Sequence, residues 1–193
     1  MRIGVDLDNT LADYRRPLER LCASHGLPGT TPDPKLALRE ELRSRGDERE
    51  WTRLQGELYG PLMREAQLFA GAADTINRWK AAGCDIYVVS HRTRHPIIGA
   101  RHDLHAFARE WTHEQKLDVA DLFFEETKEA KLARIGSLRC DVFIDDLPEI
   151  LLHPVVPAAT RKILFDPGCS HPSHPDLRSA KSWAQVAALA SLS

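Results

Sequence analysis

The chain has 193 residues, 26 Lys+Arg against 28 Asp+Glu, and 42% hydrophobic residues. That suits one domain of ordinary size, or one carrying an insertion, with roughly 70% of the unfolded surface buried. A net charge of −2 and a pI near 6.5 speak against a general nucleic-acid binder. Mean hydropathy is −0.37, and no uncharged apolar run approaches the ~18 residues of a membrane helix. Asp6 and Asp8 interrupt the N-terminus before an apolar signal region could form. A cytoplasmic protein without a membrane partner is expected.

In chain order, residues 2–5 form a short apolar run ending in acids. A long stretch, Asp13 to about Gln67, precedes the next strand and reads as helices. Tyr14, Leu18, Leu21 and Cys22 mark the first of these. Leu38 and Leu42 mark the second, and Trp51, Leu54 and Leu58 the third. Residues 26–34 (GLPGTTPDP) break the first from the rest. Residues 72–82 place Ala72, Ile76 and Trp79 on one helical face and stop at Gly83. The run 85–89 (DIYVV) predicts a strand closed by Ser90. Leu104, Phe107 and Trp111 recur at helical spacing. Strands are predicted at 122–124, 142–144 and 163–165, with a helix carrying Leu132, Ile135 and Leu138 between the first two. The tail 179–189 reads as a helix with Trp183, Val186 and Ala190 on one side.

Strand–helix alternation argues for an α/β chain: a Rossmann-like, doubly wound parallel sheet of about five strands. The expected division is a core of 1–12 and 68–193 and an α-helical cap of 13–67. Cys22, Cys84, Cys140 and Cys169 form no C-x-x-C pair and read as buried, reduced thiols.

The chemistry concentrates at strand ends. Asp6 and Asp8, at i and i+2, leave the first strand on the same side. Asp145 and Asp146 close another apolar strand, Ser90 closes a third, and Lys131 opens the helix before Asp145. In an open α/β sheet, ligands bind at the C-terminal strand ends. The alternative for Asp8 and Thr10 is helix capping in an acidic turn.

These residues resemble the four motifs of the haloacid dehalogenase superfamily of aspartate-nucleophile phosphatases, in the family's order. They are D-x-D-x-T at 6–10, Ser90, Lys131, and the acidic pair Asp145–Asp146. The resemblance covers roughly 1–12 and 68–190, and 13–67 matches the usual place of a helical cap. It implies that Asp6 is the nucleophile and that Asp8 is the general acid and base. The superfamily's dehalogenases lack the second acid, so Asp8 favours phosphate chemistry. Lys131 would bind phosphoryl oxygens, with Lys128 as the alternative.

Thr10, Ser90, His91 and Arg92 are the candidate substrate-binding residues. Ser90 would hydrogen-bond a phosphoryl oxygen and Thr10 would brace the loop. The basic stretch from His91 to His95, with Arg101 and His102, could hold the non-reacting part of an anionic substrate, Arg92 foremost. Four clustered carboxylates demand a cation, because like charges ~4 Å apart repel by about 4 kcal/mol at an effective dielectric of about 20. Mg²⁺ is therefore expected, held by Asp6, Asp8 through its carbonyl, Asp145 and Asp146, with Asp146 also placed to orient water or Lys131.

The expected activity is Mg²⁺-dependent hydrolysis of a small soluble phosphate ester, a nucleoside monophosphate or sugar phosphate. A nucleic-acid 3′-end phosphatase and a non-catalytic binding module on the same fold are the alternatives. Cys169, His171 and His174 offer a weak zinc pattern. The four tryptophans read as core residues, although Trp51 or Tyr59 could reach substrate.

Overall fold

A computed structural model describes residues 1–28 and 33–190. The middle of the predicted 26–34 break and the last three residues of the expected core lie outside the described residues. The chain divides into two compact units. The first comprises Met1–Ala12, Leu68–Arg92 and the described residues from Gln115 onward. The second comprises the described residues of Asp13–Gln67 together with Thr93–Glu114.

The elements run as follows. β1 is Arg2–Val5 and β2 is Ala12–Asp13. Three helices follow: α1 (Arg15–Ser24), α2 (Pro34–Ser44) and α3 (Glu48–Tyr59). A 3-10 turn, Pro61–Glu65, leads to β3 (Gln67–Leu68), α4 (Ala72–Ala81) and β4 (Asp85–His91). Next come α5 (Leu104–Glu114), β5 (Asp121–Glu125), α6 (Lys128–Leu138), β6 (Val142–Asp145) and α7 (Pro148–Leu151). The chain closes with β7 (Arg161–Phe165), β8 (Arg178–Ala180) and α8 (Trp183–Ala190).

In the first unit, six parallel strands lie in the order β5-β4-β1-β6-β7-β8. The sheet is therefore wider than the five strands expected. β8 escaped prediction because Arg178-Ser179-Ala180 carries no apolar run; its backbone pairs with β7 and only Ala180 is buried. The terminal helix consequently starts at Trp183 instead of 179.

One sheet face packs Val89, Phe143 and Leu164 against Leu132 and Ile135 of α6 and Ile150 and Leu151 of α7. Elsewhere in this unit, Phe165 meets Phe69 and Trp183 at ring-centroid distances of 4.8 and 6.1 Å. Gly4 sits opposite Phe143 in the sheet, and a Cβ there would stand 2.3 Å from the Phe143 ring. Only glycine leaves room for that ring.

The second unit has its own core of Cys22, Leu38, Leu42 and Leu54, with Trp51 packed against it. Asp33 and Asp47 cap α2 and α3 through their side chains, as helix N-termini require. Thr93–Glu114 clusters with this unit, although the sequence assigned it to the core. The physical reason is direct. Buried Trp111 donates Nε1 to Ala66 O at 2.9 Å, Arg64 pairs with Glu110 at 3.1 Å, and Gly56 lies against Pro96.

Candidate active site

The candidate site is built within the first unit, on three adjacent strand ends. β1 lies between β4 and β6, with Val5 paired to Val88 and to Ile144. One residue further, Asp6 stands beside Asp145. Its N–H donates to Ile144 O at 2.8 Å, which continues the ladder past the end of β1. The chain then turns sharply. Leu11 and Ala12 N–H groups return to Leu7 O, and Asn9 takes a positive φ of 62°. Asn tolerates this left-handed region better than most side chains. The turn aims Asp8 back toward β4.

Lys131 is the hub. Its Nζ donates to Asp6 Oδ1 and to Asp145 Oδ2, both at 2.7 Å. The lysine side chain is 2% exposed. Thr127 caps α6 through its side chain, so the helix begins at Lys128 and Lys131 lies in its second turn. This corrects the expectation that Lys131 opens the helix. Lys128 instead pairs with Glu149 at 3.6 Å, its side chain 42% exposed. Geometry thus selects Lys131 over Lys128. Asp145 is fully buried, and its Oδ1 accepts the Leu147 N–H at 2.9 Å.

Burial pushes the Asp6 carboxyl well above the ordinary carboxylate range. Lys131 opposes that shift, while Asp145, Asp146 and Asp8 add to it. Burial alone would lower the Lys131 pKa, but Asp145 and Asp6 outweigh it and hold the ammonium above its ordinary value. The Lys131 direction reports excess negative charge around one cation, whereas the Asp6 direction reflects burial first and the neighbouring carboxylates second.

Carboxylate oxygens of Asp6, Asp145 and Asp146 lie within 4.8 Å of one another. With Lys131, these side chains carry a formal charge of −2. An all-oxygen, doubly negative set fits a hard divalent cation such as Mg²⁺. Such a cation would also relieve the pressure on Asp6.

Asp8 is arranged differently. Its Oδ2 accepts from Ser90 Oγ at 3.1 Å, and its Oδ1 accepts from the Arg92 guanidinium. Arg92 is 4% exposed. Ser90 and Arg92 are two apart on an extended chain and share one side, whereas His91 between them is exposed. Sequence reasoning placed Arg92 on the substrate; the structure places it on Asp8. The period-2 spacing from Ser90 was the available signal. Further along the basic stretch, Arg94 pairs with Asp103 at 3.1 Å and His95 Nδ1 meets His102 O at 2.9 Å.

Thr10 is fully buried, and its hydroxyl has no hydrogen-bond partner among the described residues. Its carbonyl, not its hydroxyl, is tied down, accepting Trp183 Nε1 at 3.0 Å. Cys169, His171 and His174 do not bring their ligand atoms together as the acidic set does, among the described residues. Their loop is organised by Asp166, which accepts the Ser170 and His171 N–H groups. Cys169 is exposed, contrary to the buried-thiol expectation, while Cys22, Cys84 and Cys140 are buried. Trp111 and Trp183 are core residues; Trp51 and Trp79 are half-buried.

Comparison with protein-family models finds no match, and comparison with curated proteins finds none either. Solved structures do match along nearly the whole chain. A HAD hydrolase of family IA, variant 3, from Entamoeba histolytica aligns with a TM-score of 0.59, 14% identity and 98% coverage of both chains. A structure described as a dehalogenase aligns at 0.58 with 15% identity, covering 97% of this chain and 96% of that one. A HAD-superfamily hydrolase of subfamily IA, variant 1, from Geobacter sulfurreducens aligns at 0.55 with 13% identity, covering 98% and 96%. The chain has the HAD-superfamily hydrolase fold. In the HAD fold as built here, the three strand ends carrying Asp6, Ser90 and Asp145 are neighbours. Among the described residues no helix is long and apolar enough to cross a membrane.

Proposed function

We propose that this chain is a Mg²⁺-dependent phosphomonoester hydrolase acting on a small phosphate ester, with a nucleoside monophosphate or sugar phosphate as the preferred class. The observation that carries the reading is the Asp6–Lys131–Asp145 bridge, with Asp146 in metal range and a second acid, Asp8, on the same turn. A dehalogenase shares the fold, but the second acid favours phosphate over carbon–halogen chemistry.

In the proposed mechanism the Asp6 carboxylate attacks phosphorus, and the ester oxygen leaves with a proton from Asp8. Asp8 then takes a proton from water. The resulting hydroxide attacks the aspartyl phosphate, releasing phosphate and restoring Asp6. Lys131 holds the nucleophile in place and offers positive charge to phosphoryl oxygens. Asp6, Asp145 and Asp146, with the Asp8 carbonyl, would hold Mg²⁺. When bound, the ion supplies Lewis-acid stabilisation of the negative charge on the transferring group. The nucleic-acid alternative loses its main support, because the charges of Arg92 and Arg94 are already paired with Asp8 and Asp103.

The test is hydrolysis of p-nitrophenyl phosphate, then of a panel of nucleotides and sugar phosphates, with Mg²⁺ or with EDTA. Turnover that needs Mg²⁺ and vanishes in Asp6→Asn is expected. Metal-independent turnover, or activity surviving in Asp6→Asn, would sink the mechanism.

A further inference from the structure

The two aspartates of the β1 turn face different cations. Asp6 meets Lys131, and Asp8 meets Arg92. The Arg92 side chain is 2% exposed against 17% for Asp8, so an incoming ligand meets the carboxylate before the guanidinium. Arg92 is also anchored at its backbone, donating its N–H to Glu125 O at the end of β5 at 2.8 Å. Ser90, on the same side of the chain, holds the other Asp8 oxygen. Both oxygens are thus gripped from one strand end, on a side chain whose own backbone turns directly into the left-handed Asn9. Without that grip, several rotamers would be open to Asp8.

The two grips differ in strength. A guanidinium–carboxylate contact is charge-assisted on both sides, whereas the Ser90 hydroxyl is neutral. Arginine keeps its charge throughout, and its planar fork fixes direction as an ammonium does not. Oδ1 is therefore the more firmly anchored oxygen, and Oδ2, which meets the neutral Ser90 hydroxyl, is the one offered to substrate.

We propose that Arg92 is a positioning residue acting through Asp8: it pins Oδ1 so that Oδ2 delivers the proton to the leaving oxygen and later accepts one from water. The inference rests on the phosphatase reading above. It replaces the expectation that Arg92 binds the non-reacting part of the substrate.

The test compares the full chain with Arg92→Gln, Arg92→Lys, Asp8→Asn and the Arg92→Gln/Asp8→Asn double variant. The substrates are p-nitrophenyl phosphate and phenyl phosphate in Mg²⁺. These esters differ only by the para-nitro group, and phenoxide is the poorer leaving group and needs the proton more. Arg92→Gln should lower kcat on phenyl phosphate by about 100-fold and on p-nitrophenyl phosphate far less, with KM nearly unchanged. Added to Asp8→Asn, it should cause no further loss. Arg92→Lys, which keeps the charge but not the fork, should fall between and show the same leaving-group dependence. That variant decides the matter if Arg92→Gln does not fold. A raised KM with equal losses on both esters, or a full additional loss in the double variant, overturns the proposal. A wild-type chain that hydrolyses neither ester nor any member of the panel overturns the phosphatase reading itself; variant effects on an active wild type bear on Arg92 alone.

Discussion

Lys131 and Asp6 lie 125 residues apart in sequence, yet the ammonium donates to the carboxylate at 2.7 Å inside the protein. The same nitrogen reaches Asp145, so one buried cation joins the ends of two central strands. Desolvating these groups is expensive, and their mutual attraction is what makes it tolerable.

Removing that cation leaves two buried carboxylates facing each other. Lys131→Met is expected to destabilise the chain by about 3–5 kcal/mol in urea denaturation. It should also lower the proposed phosphatase activity by about 100-fold or more. Lys128→Ala, on an exposed pair, should stay within about 0.5 kcal/mol of wild type and keep its activity.

Gly4 has no space for a side chain, since a Cβ would meet the Phe143 ring at 2.3 Å. Gly4→Ala should cost about 1–3 kcal/mol through overpacking. Gly4→Ala/Phe143→Leu should recover part of the loss, read as a shift in the urea midpoint. Equal stability of Gly4→Ala and wild type would contradict the packing described for β1 and β6.

Trp183 and Thr10 are both fully buried, and the indole N–H is donated to the Thr10 carbonyl. Trp183→Phe keeps most of the apolar contact but removes the donor. A buried carbonyl left without it costs about 1–3 kcal/mol. Thermal melting should show the loss. Activity should fall as well, because Thr10 belongs to the turn that carries Asp8.

Cys140 gives a pH dependence with a defined sign. Burial, with Asp141 nearby, pushes its thiol from an ordinary value of 9.0 up to about 11, against a small opposing effect of Arg2. The unfolded thiol ionises first, so this contribution to stability is intact below pH 9.0 and is lost as pH rises toward about 11. The loss should reach about 2–3 kcal/mol and be absent in Cys140→Ala. Alkylation of the native chain at pH 8 should mark exposed Cys169 first; the three buried thiols should react only after denaturation.

Much of the fold was legible because strands and helices advertise themselves through neighbouring side chains. The run Val142–Ile144 could be read as a buried strand, and Leu104, Phe107 and Trp111 as one helical face. β8 was not legible, since a polar tripeptide becomes a strand only when β7 offers it backbone partners. The unit to which Thr93–Glu114 belongs was hidden for a related reason: Trp111 looks equally apolar whichever core it enters. At the site, the carboxylates were visible as acids closing apolar runs. Arg92 was visible only as a basic residue beside Ser90.

The sequence by itself determined which residues stand at the strand ends: Asp6, Ser90, Asp145 and Asp146. Strand periodicity and the chain's reversal after each apolar run are local properties. Only the tertiary structure decided the pairings, Lys131 with Asp6 and Asp145, and Arg92 with Asp8. Such a pairing depends on distance and shared burial between groups far apart in the chain. A one-dimensional pattern of charges shows which groups carry charge, but not which of them are removed from water together.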